Sequence, residues 1–255
     1  MRMSHQYRAV AAAVAATLTL AIAGCAGPPA HPHSPGVPVV AVDIGHNPTE
    51  PGAISAGGIP EHAYNRKLAN DLLAQLHADG YTQSFVIKPT EKGMSLQERA
   101  ESAVARGASI LISVHHDSVQ PRYLKQHRVF GRVVAYSEGI SGYSLFYSET
   151  GDAGDDSLRL ATEIGRQLRA AGLTPSLHHA EDIPGEAREL VDESLGIYRF
   201  DKLILLRTAG IPSVLFEAGV IVDRDEERQF RDPAYRERIA RALSRAITAF
   251  VEASR

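Results

Sequence analysis

The chain has 255 residues, with 27 lysines and arginines against 30 aspartates and glutamates, a formal net charge of −3 and a single cysteine. The signs are mixed throughout, with no basic stripe and no interleaving of aromatic and basic residues, so nucleic acid is not an expected partner. One cysteine allows no internal disulfide, and the fold must rest on its core and on any metal it binds.

In chain order, Met1 to Ala26 reads as an export signal: Arg2 and Arg8 give a positive start and Ala11 to Ala23 an apolar run of small residues. That run falls short of the roughly 20 residues a membrane span needs. It ends in Ile22-Ala23-Gly24-Cys25, which resembles the bacterial lipobox. The resemblance implies a signal over residues 1–24, cleavage before Cys25 and lipidation of its thiol; the alternative is an ordinary signal with an incidental cysteine. Residues 25–38, including the Pro-rich PPAHPHSPGVP, read as an extended tether. Its His31 and His33 read as polar spacing. Residues 39–255 then form one domain large enough to bury a core.

Within that domain, strand-like and helical patterns alternate. Val39 to Ile44 is a near-continuous apolar run, as expected of a central parallel strand. Glu61 to Asp79 places Tyr64, Leu68, Leu72 and Leu76 on one helical stripe that Gly80 ends. Phe85 to Ile87 is a short strand, and Ser95 to Arg106 a helix with Ser95 and Glu98 as a capping box. Ser109 to Val114 is a second buried strand running into His115-His116-Asp117. Arg132 to Tyr136 and Tyr143 to Tyr147 read as strands about a Gly turn, and Ser157 to Ala171 as an amphipathic helix. The acidic segment Ser176 to Phe200 reads as partly helical. Leu203 to Arg207 and Ser213 to Phe216 read as buried strands, and Asp232 to Ser254 as the closing helix. Such alternation predicts a single α/β domain with a mostly parallel sheet.

Ligands in open α/β sheets bind beyond the carboxyl ends of the strands. His46, His115 and Glu217 all lie at or just past such an end. A catalytic zinc takes three protein ligands and leaves a position for water, and two histidines with a glutamate form one such set. His46 and His115 supply imidazoles. Glu61 supplies a carboxylate from the first turn of a helix, after a loop broken by Gly52, Gly57 and Gly58 that can fold back toward His46. There is no HExxH, so spacing alone leaves open a turn-capping His46, a helix-start charge at Glu61 and a satisfied strand-end carboxylate at Glu217. An acid directly after Val214-Leu215-Phe216 is costly to bury unpaired, which favours a functional Glu217.

Three blocks of residues resemble one family. They are Asp43-Ile44-Gly45-His46 with Pro51-Gly52-Ala53 and Glu61; Ser95-Leu96 with Glu98-Arg99, then Gly107-Ala108 and Ile112 through Asp117; and Leu206-Arg207 with Ile211 through Gly219. In this order they resemble the amidase-3 type zinc-dependent N-acetylmuramoyl-L-alanine amidases over nearly all of Val39 to Ala249. The resemblance implies a six-stranded sheet flanked by helices, one zinc held by His46, Glu61 and His115, and Glu217 as the catalytic glutamate. It implies peptidoglycan as substrate, cut at the amide between N-acetylmuramic acid and L-alanine. The family's Gly-Phe after its glutamate, with an Asn further on, is here Gly219-Val220 with Asp223.

Neighbours on a strand face opposite ways, so of His115 and His116 only one reaches a metal; the resemblance selects His115 and leaves His116 outward or lining the groove. His62, His77, His178 and His179 read as surface residues. Some family members plug the zinc site with a glutamate from a helix, and the acidic segment offers Glu186, Glu189 and Glu193 for an autoinhibitory role; a plain surface helix is the other reading. A different zinc peptidase such as a carboxypeptidase acting on stem peptides, or a non-catalytic wall-binding lipoprotein, are the rival functions. Lipidated Cys25 would hold the exported protein to a membrane. Ala26 is not the aspartate that often retains lipoproteins at the inner membrane, which points to the outer membrane, periplasmic face. The resemblance leaves room for an activator protein, whose identity the sequence does not carry.

Overall fold

A computed structural model describes residues 36–88 and 93–254. The export signal, Cys25 and the histidines of the tether lie outside the described residues. The first strand, β1 (Val40–Ile44), is buried at every position. Its side chains alternate between two cores: Val40, Val42 and Ile44 enter one, and Ala41 enters the other. A strand covered on both faces needs an unbroken apolar run, which is why β1 shows no polar alternation.

Helix α1 (Glu61–Ala78) follows, then β2 (Phe85–Ile87), α2 (Leu96–Ala105) and β3 (Ile110–Asp117). The expected capping box is present: the Ser95 hydroxyl accepts from the Glu98 amide at 3.2 Å, and the Ser95 amide donates to Glu98 Oε2 at 2.7 Å. Next come β4 (Lys125–Val129), β5 (Arg132–Tyr136), β6 (Ser144–Tyr147) and α3 (Gly154–Ala170). The chain continues through β7 (Glu189–Asp192), β8 (Ile197–Arg199), α4 (Ile204–Thr208) and β9 (Ser213–Val220). It closes with α5 (Arg224–Arg231) and α6 (Pro233–Ala253).

The main sheet has seven strands in the order β2-β1-β3-β9-β6-β8-β7. Strands β2, β1, β3 and β9 run parallel; β6 is antiparallel to β9, and β7 to β8. Leucines and isoleucines of α1, α3 and α6 fill one face of the sheet. Ala100 and Ala103 of α2, with Leu205 of α4, cover the other face. Among the described residues, no helix is long and apolar enough to cross a membrane.

Three sequence expectations change. Leu203 to Arg207, read as a strand, is mostly the short helix α4: Leu205 and Leu206 enter different clusters, and a short apolar run does not distinguish the two forms. The acidic segment holds one 3-10 turn, His178–Ala180, and the stretch from Glu186 to Gly196 that read as helical is not. Asp192 Oδ1 accepts from Ser194 Oγ at 2.7 Å and from the Leu195 amide at 3.1 Å, and Gly196 takes φ 64°. That turn reverses the chain and makes β7 and β8 an antiparallel edge pair, so the sheet has seven strands where six were expected. Lastly, β5 and β6 do not flank one turn. Strand β5 pairs with the polar β4 in a separate two-stranded sheet, and β6 joins the main one.

Candidate active site

The parity of β3 decides which histidine faces which way. Ile110, Ile112 and Val114 enter the core beneath α1, and His116 follows them. It is 1% exposed and lies edge-on to Phe230, with ring centroids 4.5 Å apart. His116 therefore neither faces outward nor lines the groove, as the sequence suggested. Burial holds its imidazole down to a pKa of about 3, so it is neutral. Its Nδ1–H donates to Asn65 Oδ1 at 2.8 Å, since the Asn65 amide nitrogen is itself donating elsewhere.

His115 leaves the opposite face of β3 and meets Glu61. Its Nδ1 lies 3.1 Å from Glu61 Oε1, and His46 Nε2 lies 3.0 Å from Glu61 Oε2. The loop does fold back as its glycines suggested: the Glu61 amide donates to the Ala53 carbonyl at 2.8 Å, and the Ala53 amide donates to Glu61 Oε2 at 3.1 Å. A Cβ on Gly52 would sit 2.3 Å from Glu61 Oε2, and one on Gly45 would sit 2.4 Å from the His115 ring. Both positions therefore require glycine. His46 itself takes φ 64°, an uncommon backbone state for a side chain other than glycine, of the kind that clusters at functional sites.

Ligand atoms of His46, Glu61 and His115 lie within 4.8 Å of one another, so the trio could hold a metal ion. Burial opposes charge on Glu61, but the two imidazoles outweigh it and hold the carboxyl well below the usual range. Burial likewise lowers His46, while Glu61 and a hydrogen bond to the Glu50 backbone raise it further, for a net rise. Glu61 is fixed from behind by the Asn65 amide at 3.0 Å, which also donates to the Gly45 carbonyl at 3.1 Å. The tip of β1 is clamped by buried Arg99, whose guanidinium reaches Asp43 Oδ1 at 3.1 Å, the Ile44 carbonyl at 2.7 Å and the His46 carbonyl at 2.8 Å.

Glu217 lies on β9 in register with His115. Its Oε2 is shielded and has no hydrogen-bond partner. Burial and the charges of Asp117 and Glu61 push its carboxyl well above the usual range. A cation among three carboxylates reverses that balance, so an orphaned carboxylate oxygen beside two imidazoles and Glu61 fits a divalent ion. His46, His115 and Glu217 line one cavity of about 430 Å³.

Asp117 and His179 line the same cavity. A register shift between His115 and Asp117 in β3 re-aims the aspartate. Asp117 Oδ2 lies 2.7 Å from His179 Nε2 and 3.2 Å from His178 Nε2. Both histidines are buried, which corrects their reading as surface residues. The signal was present in the sequence: His115-His116 and His178-His179 are its only histidine pairs. Of the three glutamates considered for an autoinhibitory role, Glu186 lines the cavity, where Gln120 donates to it at 2.6 Å and His179 Nδ1 lies at 2.8 Å. Glu189 and Glu193 are exposed, with Glu189 3.8 Å from Arg199. His62 is half-buried, its Nδ1 at 3.1 Å from the Gly45 carbonyl, and His77 is exposed.

Asp223, where the sequence departs from the resembled pattern, caps α5 by accepting from the amides of Asp225 and Glu226, both at 3.0 Å.

Comparison with known proteins bears on this site. The family described as N-acetylmuramoyl-L-alanine amidase (Amidase_3) matches residues 40–249. The probable N-acetylmuramoyl-L-alanine amidase AmiB of Haemophilus influenzae is 28% identical over 230 residues, covering 83% of this chain and 51% of the relative. AmiC of Neisseria meningitidis is 24% identical over 225 residues, covering 85% and 53%. The chain thus spans about half the length of these relatives. The apo crystal structure of the amidase Ami1 from Mycobacterium abscessus superposes with a TM-score of 0.66 at 22% identity, over 84% of this chain and 98% of that one, a likeness of fold.

Proposed function

Because this chain belongs to the N-acetylmuramoyl-L-alanine amidase family, we propose that it is a zinc-dependent peptidoglycan hydrolase that cuts the amide between N-acetylmuramic acid and L-alanine. The observation that carries this reading is the convergence of His46 and His115 on the buried Glu61, with His46, His115 and Glu217, whose Oε2 has no partner, lining one cavity. His46, Glu61 and His115 would hold the ion. When bound, zinc supplies Lewis-acid polarisation of the scissile carbonyl and makes water nucleophilic near neutral pH.

The chain's own residues do the remaining work. Glu217 takes the proton of the attacking water and returns it to the leaving L-alanine amine. Asn65 and the Ala53 amide keep the Glu61 carboxylate aimed at the centre. Arg99 holds the strand tip from which His46 projects. Asn65, His116 and Arg99 thus act as positioning groups. Of the glutamates in the acidic segment only Glu186 reaches the cavity, and its carboxylate is taken by His179 and Gln120, so the reading advanced is an open centre rather than a plugged one.

The lipobox-like run before Cys25 supports export and anchoring through a lipid on its thiol, with the outer membrane facing the periplasm as the proposed location. A Cys25→Ala variant should then leave the membrane fraction. For the reaction, zinc-loaded protein is incubated with purified sacculi and the soluble products are read by mass spectrometry. Intact stem peptides with a free L-alanine amine, absent with Glu217→Ala, are expected. Trimmed peptides still attached to their sugars would instead mean a carboxypeptidase.

A further inference from the structure

Asp117, His178 and His179 are a second cluster whose ligand atoms lie within 4.8 Å of one another, separate from His46, Glu61 and His115. We propose that this cluster is a second divalent-cation site, of the zinc class, opening on the same cavity as the first. The proposal does not rest on the amidase reading and concerns only what the chain binds.

The donors are arranged as metal ligands usually are. Asp117 Oδ1 accepts from the Ser118 amide at 2.7 Å, which leaves Oδ2 facing the two imidazoles. In each histidine the nitrogen remote from Asp117 is already engaged. His178 Nδ1 lies 2.8 Å from Ser176 Oγ, and His179 Nδ1 lies 2.8 Å from Glu186 Oε2. A carboxylate can only accept, so His179 Nδ1 carries the hydrogen. Without an ion both ring nitrogens lie within donating distance of a carboxylate; a cation would take the place of the Nε2 hydrogen, which leaves to solvent, while Glu186 keeps hold of Nδ1–H. A carboxylate behind a histidine behind a metal is the common way such a ligand is oriented and its basicity raised.

A second, independent observation concerns His178. His178 is 6% exposed, yet its Nε2 has no hydrogen-bond partner, although it lies 3.2 Å from Asp117 Oδ2. Shielding a ring nitrogen without a partner is costly, and a metal ion removes that cost. Spacing also fits. Zinc bonds of about 2.0–2.1 Å at tetrahedral angles place ligand atoms about 3.3 Å apart. The observed 3.2 Å already matches, and the 2.7 Å edge opens by roughly 0.6 Å to reach that spacing. Two imidazoles with one carboxylate suit zinc, cobalt or nickel over calcium or magnesium, which prefer oxygen. Asp117 and His179 line the cavity, so an ion held by the three donors would be reachable from it.

The test is a zinc titration of the full chain in detergent after chelator stripping, read by calorimetry and by metal analysis after desalting. Two equivalents are expected for the unaltered protein, one for His178→Ala/His179→Ala, and one for His46→Ala/His115→Ala. Retention of the second equivalent in this last variant would show the Asp117 cluster binding independently of the first. A single equivalent on the unaltered protein that is lost with His46→Ala/His115→Ala and kept with His178→Ala/His179→Ala overturns the proposal; a single equivalent with the reverse dependence supports it and counts against the first site instead. A second equivalent that survives loss of His178 and His179 also overturns the proposal, since it would lie elsewhere, such as on the tether histidines. Should the double variant not fold by circular dichroism, Asp117→Asn replaces it, with the same loss of one equivalent expected. Anomalous scattering at the zinc edge from the unaltered protein needs no variant: two peaks support the site, and a lone peak at His46 and His115 overturns it.

Discussion

His115 and Glu217 are register partners on the adjacent parallel strands β3 and β9, so their side chains leave the same face of the sheet one strand apart. A ligand and a proton carrier placed this way share a rigid backbone, and their spacing does not depend on a loop. Glu217→Gln keeps the shape and removes the base. Turnover on sacculi should fall by roughly 10²–10⁴-fold, while zinc content by metal analysis stays at the level of the unaltered protein. Lost zinc together with lost turnover would instead make Glu217 part of the metal shell.

Asn65 lies behind Glu61 and touches no reacting atom. It donates to Glu61 Oε1 and accepts from His116. Asn65→Leu removes the donor while filling the space, which lets the Glu61 carboxylate turn. Zinc affinity, measured by competition with a coloured chelator, should weaken about 10–100-fold. If affinity is unchanged and only the melting temperature falls, Asn65 is a fold residue and not a positioning one.

Arg99 and Asp43 form a buried ion pair, 3% and 0% exposed. Ser113 Oγ donates to the other Asp43 oxygen at 2.7 Å, so the aspartate is fully committed. Arg99→Ala strands that charge and should cost about 3–5 kcal/mol in denaturant unfolding. Arg99→Lys should recover little of it. An ammonium cannot span Asp43 and the two carbonyls of Ile44 and His46 as a planar fork does.

Much of this was legible in the chain because the parallel strands are buried on both faces. Val39 to Ile44 and Ser109 to Val114 announce themselves as apolar runs, and the polar residues after them mark the strand tips. What stayed hidden depends on contacts distant in sequence. The stretch EARELVDESLG around β7 is rich in Glu, Leu, Ala and Arg, which favour helix, and only the Asp192 turn and the pairing with β8 make its middle a strand. Strand β4 is polar and pairs only with β5, so no buried face marks it. His178 and His179 looked like surface polarity because the aspartate that buries them lies 61 and 62 residues away. His46 was identifiable as a residue, but its left-handed backbone was not, since it is imposed by the Arg99 clamp and the loop that follows.

Glu226 gives a stability profile with a sign that can be checked. It is 7% exposed and accepts from the Val220 amide at 2.7 Å and the Gly142 amide at 3.0 Å. A Cβ on Gly219 would come within 2.5 Å of its Oε1, so the glycine after Ala218 makes room for it. Burial outweighs the two amides and pushes its pKa from 4.5 up to about 7. Between those values the folded protein keeps a proton that the unfolded chain has released. Stability is therefore fully present below pH 4.5, declines as pH rises to about 7, and is level above it. At 1.36 kcal/mol per pKa unit the decline is on the order of 3 kcal/mol. Urea midpoints at pH 5 and pH 8 should show this drop in the unaltered protein and a much smaller one in Glu226→Gln, which stays neutral. An equal drop in both proteins would assign the slope to other groups.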